Sequence, residues 1–197
     1  MTDMTHHISD PLLASYAAGS LSWPFALVVA AHVSLCDECR ARLGAHEAAG
    51  AAAMQALPPV DVSDGAKSAL MARLDEPVPE TVPPARSGVY PAPVVAAMGR
   101  AVPKWRPVAG GVQQAILRRG AEGSARLLKI PPRQAVPDHG HQGLEMTLVL
   151  QGSFADEDGT FAAGDVEIAD ESVEHSPVAG PGAPCICLAA TEAPLRF

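Results

Sequence analysis

Two groups of residues have the types and spacing that chemistry requires. The first is His32-x3-Cys36-x2-Cys39. Imidazole nitrogen and thiolate sulfur are zinc ligands, and a structural zinc site closes with four of them. On a helix His32 and Cys36 share a face, but Cys39 lies roughly 10 Å of helix rise beyond His32. One ion cannot hold both ends of that span, so the helix must break near Cys36. The fourth ligand must come from elsewhere, with His6, His7 and His46 as candidates; His46 would need the third helix bent back toward Cys39. Two buried cysteines and a core histidine are the plainer alternative. A Cys-x-x-Cys redox pair is another, although no thioredoxin-like βαβ pattern surrounds it.

The second group is His139-x-His141-x3-Glu145, followed after two strands by His175. Residues two apart on a strand point to one face, so His139 and His141 can both aim into a barrel. Glu145 makes a third ligand and His175 can enter from a neighbouring strand. Three imidazoles and a carboxylate suit zinc, manganese, iron or nickel. Cys185 and Cys187 flank Ile186 on one strand and face one side, either as a redox pair or as small core residues.

Helices must position the first group and strands the second. Ser9 or Asp10 caps a helix with Pro11 in its first turn, closed by Gly19. A second helix starts near Ser22 and runs toward His32. A third follows Cys36, with Asp37 and Glu38 at its positive end, and a fourth is capped by Ser63 with Ala66, Ala69, Leu70 and Leu74 on one face. Residues 77–93 hold six prolines and read as an extended linker. Beyond it, 112–117, 126–130, 146–150, 166–169 and 185–190 read as strands punctuated by glycine, a small β-sandwich or jelly-roll barrel. The expected division is 1–76 helical, 77–93 linker and 94–197 all-β.

Composition narrows the function. Apolar residues make up 48% and charged residues 18%, which is globular. The net charge is −8 with no block of Lys and Arg, which argues against direct nucleic-acid binding and suits an acidic module that covers a basic protein. No secretory signal precedes Pro11, and the longest apolar run, 25–33, is too short to span a bilayer, so a cytoplasmic protein is expected. Trp23, Phe25, Leu27, Val28 and Val29 are more apolar surface than a small helical domain readily hides, which suggests a partner that covers helices.

At His6-His7-Ile8-Ser9-Asp10 together with His32-x3-Cys36-x2-Cys39, the chain resembles the zinc-containing anti-sigma domain of the ChrR type over roughly residues 4–75. The resemblance implies that the histidine just before the first helix, His7, completes a zinc site with His32, Cys36 and Cys39. The second group is similar to the cupin metal motif, with Gly164-Asp165 preceding His175, although no Asn follows His175 at the usual place. ChrR-type proteins carry such a cupin behind the zinc module. The resemblance therefore implies an α + β two-domain chain, with a second divalent ion, zinc, on His139, His141, Glu145 and His175. It also implies a 1:1 complex with an extracytoplasmic-function-type RNA polymerase sigma factor, released by singlet oxygen or a related oxidant, and no catalytic residues. The competing expectation is a metal-dependent cupin oxygenase or isomerase with a helical appendage, though no acid or base beyond the ligand set is evident.

Overall fold

The computed structural model describes residues 4–77, 84–136, 139–140 and 143–193. Helix α1 (Asp10–Ala17) begins behind Ser9 with a proline in its first turn. Gly19, at φ +68°, turns the chain back toward Ser22, which precedes α2 (Trp23–Val33), again with a proline in its first turn. That helix stops at Ser34. Cys36 is extended and caps α3 (Asp37–Gln55), its sulfur accepting from the Cys39 N–H at 3.4 Å. The break demanded by the ligand spacing therefore falls where it was expected. Helix α4 (Ala66–Arg73) is capped at Gly65 rather than Ser63, whose carbonyl instead accepts from the Ala66 N–H. A fifth helix, α5 (Ala92–Met98), follows Pro91 and ends at Gly99. It begins within the proline-rich stretch because a proline at a helix start forfeits no hydrogen bond. Among the described residues no helix is long and apolar enough to cross a membrane.

The rest is antiparallel sheet. The short β1 (Arg106–Pro107) edges β2 (Gln113–Gly120) and β3 (Gly123–Ile130); β11 (Cys185–Thr191), β5 (Glu145–Gln151) and β8 (Val166–Ala169) complete a six-stranded sheet in the order β1-β2-β3-β11-β5-β8. A second sheet joins β10 (Val178–Ala179), β6 (Ser153–Asp156) and β7 (Gly159–Ala162), and β4 (His139–Gly140) pairs with β9 (Glu174–His175). The chain is thus an α + β protein, helices first and an antiparallel β domain after them. All five expected strands are present, and the hairpin of the four-residue strands β6 and β7 was not foreseen.

Both faces of the large sheet are covered at β5 and β11, while β1 and much of β2 are exposed. On β5, Glu145, Thr147 and Val149 point one way and Met146, Leu148 and Leu150 the other; on β11, Cys185 and Cys187 alternate with Ile186, Leu188 and Ala190. Val149, Cys185 and Cys187 pack with Phe154 and Phe161 of the small sheet, forming the barrel interior. The other face, with Leu127, Met146, Leu148 and Leu188, shares one core with Phe25, Val28 and Val29 of α2. This corrects the expectation for Phe25, Leu27, Val28 and Val29, which are buried against the large sheet and the neighbouring helices, while Trp23 packs half-buried on the same core. A strand apolar on both faces needs a layer on each, and α2 supplies the outer one. Val89 and Tyr90 pack on the same core and Pro91 is fully buried, so the helical and β parts are joined by packing as well as by chain.

Candidate functional site

The helix break at Cys36 brings four donors together. Nδ1 of His7 lies 3.4 Å from Sγ of Cys36 and 3.5 Å from Sγ of Cys39, and His7, His32, Cys36 and Cys39 each place one ligand atom within 4.8 Å of the others. Tetrahedral bonds of the usual zinc–nitrogen and zinc–sulfur lengths separate N and S by about 3.5 Å. The donor set therefore fits a tetrahedral ion with nitrogen and sulfur ligands. His32 is fully buried, and its Nε2 has no hydrogen-bond partner among the described residues. Such an orphaned nitrogen is costly unless something coordinates it.

The surroundings set each imidazole for that role. His32 uses Nδ1 on the carbonyl of Gly164, 2.9 Å away, so Nδ1 carries the proton and Nε2 keeps its lone pair for the cluster. His7 does the reverse: its Nε2 lies 3.4 Å from a Glu38 carboxylate oxygen, which leaves Nδ1 facing the thiols. Burial pulls the His32 pKa down to about 4, only partly opposed by the Gly164 carbonyl, and so keeps the ring neutral. Burial also pushes the Cys39 thiol up to about 11. Arg42 approaches Cys39 Sγ to 3.9 Å while paired with Asp10 at 2.8 Å.

The other two histidines considered as a fourth ligand lie elsewhere. His46 faces Asp10 at 3.4 Å, and His6 lies tilted against Phe161 with ring centroids 4.3 Å apart. The alternation of the chain at 6–7 sends neighbouring side chains opposite ways, one to the cupin and one to the cysteines.

A second group of possible metal donors surrounds His175, and its other members are Asp156 and Glu167. Nδ1 of His175 lies 2.9 Å from Asp156 Oδ2 and 3.0 Å from Glu167 Oε1, and the three residues form a group whose geometry could hold a metal ion. Burial disfavours the His175 cation, but Glu167 and Asp156 outweigh it and raise its pKa to about 9. Burial raises Glu167 to about 7. Glu145 and His175 line one cavity of about 60 Å³ with Thr147, Glu167, Phe154 and Cys187, and Thr147 donates to Glu145 at 3.1 Å. In the backbone His139 is the cross-strand partner of His175. His141 lies outside the described residues.

Asp156 and Glu167 were not singled out from the sequence. Glu167 carried a signal, a carboxylate within the apolar strand Val166-Glu167-Ile168-Ala169. Asp156 carried none, because Asp156-Glu157-Asp158 reads as a solvated turn. Cys185 and Cys187 are buried with their sulfurs 3.4 Å apart, and the Cys185 contact together with burial holds the Cys187 thiol well above its usual range.

Comparison with known proteins completes the description. Residues 96–194 match the family model of the ChrR cupin-like domain. The anti-sigma-E factor ChrR of Cereibacter sphaeroides is 56% identical over 195 residues, spanning 98% of this chain and 92% of that protein. The crystal structure of Rhodobacter sphaeroides SigE in complex with the anti-sigma ChrR contains a chain 55% identical to this one, with a TM-score of 0.86 over 95% of this chain and 99% of that one. The similarity thus spans nearly the full length of a known protein in both sequence and fold, and the chain belongs to the ChrR family.

Proposed function

We propose that this protein is a zinc-dependent anti-sigma factor that binds an extracytoplasmic-function-type sigma factor 1:1 and keeps it from core RNA polymerase. The observation that carries this reading is the full-length similarity to a chain solved in complex with SigE. A structural feature of the chain agrees with it. From Glu47 to Pro77 every residue except Ala66 is exposed, α4 buries nothing, and Met54, Leu57, Val60, Val62, Leu70, Met71 and Leu74 stand in solvent. Apolar side chains spaced along a helix without a neighbour are what a partner covers. The relative is a regulatory protein rather than an enzyme, and that favours regulation over a cupin oxygenase or isomerase.

In this reading residues 1–76 are the inhibitory module, 77–93 the connection and 94–197 the cupin. Zinc is held by His7, His32, Cys36 and Cys39; it supplies the cross-link that fixes α1 and the segment before it against the start of α3. A second divalent ion, zinc again, is held by His139, His141, Glu145 and His175. Its support is the pairing of His139 with His175 and the cavity that Glu145 and His175 share. The cupin receives singlet oxygen or a related oxidant and releases the sigma factor, and the protein works in the cytoplasm. Affinity purification of the tagged protein from its own cells is the test. A sigma factor recovered at equal molar amount supports the reading, and its absence under crosslinking conditions contradicts it.

A further inference from the structure

The helical metal site is not built by the helices alone. Four hydrogen bonds run from the β7–β8 turn and the first residue of β8 in the cupin to the ligand-bearing segments. The Gly164 carbonyl accepts from His32 Nδ1 at 2.9 Å. The Asp165 carboxylate oxygen Oδ1 accepts from the N–H of Thr5 at 2.8 Å and of His6 at 3.0 Å, and the Val166 N–H donates to the His6 carbonyl at 3.1 Å. These last three pin the backbone immediately before His7.

The turn itself is held to the barrel. Gly164 N–H donates to the Val149 carbonyl at 2.9 Å, the Val149 N–H returns a bond to the Asp165 carbonyl at 3.0 Å, and Asp165 Oδ2 accepts from Ala162 N–H at 2.8 Å. Gly164 sits at φ +104°, and a Cβ there would meet Met4 Cε at 2.6 Å, so Met4 closes directly over the turn. Asp165 is almost fully buried.

We infer that the cupin turn Gly164–Asp165 is an outer-shell support of the helical metal site, setting the tautomer of His32 and the position of His7, so that metal affinity in the helical module depends on a cupin residue. The inference rests on the reading of His7, His32, Cys36 and Cys39 as metal ligands. Its physical basis is that a ligating imidazole needs its second nitrogen held, and that such partners tune affinity without touching the ion. Asp165 is a positioning residue here. It reaches the site through the main chain at residues 5 and 6, and its Oδ2 also lies 3.6 Å from Nδ1 of His6.

The test uses the full chain loaded with cobalt(II), whose thiolate-to-metal absorption reports the site containing Cys36 and Cys39. Affinity is read by competition with a chelator. D165A is expected to weaken that site roughly 10- to 100-fold. D165N keeps a neutral acceptor for the Thr5 and His6 amides and is expected to weaken it about fivefold, between wild type and alanine. The gain in thermal stability on adding metal should shrink in the same order. Unchanged affinity in D165A, with equal losses of stability in the metal-free and loaded forms, would show a merely structural role and overturn the inference. Should D165A not fold, unchanged affinity in D165N overturns it. A wild-type chain without the thiolate band would instead refute the ligand set itself, a separate outcome.

Discussion

Helix α4 makes the partner-binding surface open to measurement. Leu70 is 62% exposed and Leu74 69%, and they lie four apart, on one face of the helix. Fully burying a leucine side chain gains about 1.5–3 kcal/mol, so covering the exposed share of each gains about 1–2 kcal/mol. Replacing both with alanine should therefore cost about 2–4 kcal/mol of binding, or about 30- to 700-fold in Kd. The free protein should hardly notice: neither side chain supports a core, and alanine favours a helix as well as leucine does. Calorimetric titration of the sigma factor with L70A/L74A, alongside thermal unfolding of the free variant, reads both quantities. A Kd within threefold of wild type would remove α4 from the interface. A clearly lowered Tm would show that α4 packs within its own chain after all.

Three further outcomes follow from the two candidate metal groups. Cys36→Ala should release the helical-site zinc, worth on the order of 10 kcal/mol in small modules, loosen α1 from α3 and abolish partner binding; unaltered circular dichroism with intact binding contradicts this. Zinc must displace the proton that burial holds on Cys39 to a pKa of about 11, so apparent affinity should rise about tenfold per pH unit for that proton between about pH 6 and 8. His32, depressed to about 4, is already neutral there and adds no slope, so affinity flat with pH in competition titrations would contradict the thiol assignment. Glu145→Ala or His141→Ala should leave the complex assembled in the dark yet blunt its response to a photosensitiser, read with a sigma-dependent reporter; a wild-type light response in both variants removes the cupin ligands from signalling.

Local chemistry was legible in the sequence, and long-range packing was not. Ser9-Asp10-Pro11 and Ser22-Trp23-Pro24 mark helix starts because a helix start needs only its own first turn. The break at Cys36 followed from ligand spacing, since geometry forbids a continuous helix there. The role of Phe25, Val28 and Val29 was misread because the sheet that covers them lies a hundred residues away in the chain. Met146 and Leu148 make the outer face of β5 as apolar as its interior face, and that feature demands a cover without naming it. The Gly164 carbonyl that orients His32 is a main-chain group, and no side-chain pattern announces it. Asp156 was hidden in an acidic turn for the same reason: its neighbour His175 is close only after folding.

Promoter-dependent transcription in a purified system tests the central reading most directly. Core RNA polymerase and the extracytoplasmic-function-type sigma factor recovered with the protein are combined with increasing zinc-loaded protein, and transcript is measured. Transcription falling to background at one equivalent, and returning when zinc is stripped by a chelator, is the expected result. Full transcription in the presence of a large excess of folded, zinc-loaded protein would contradict it.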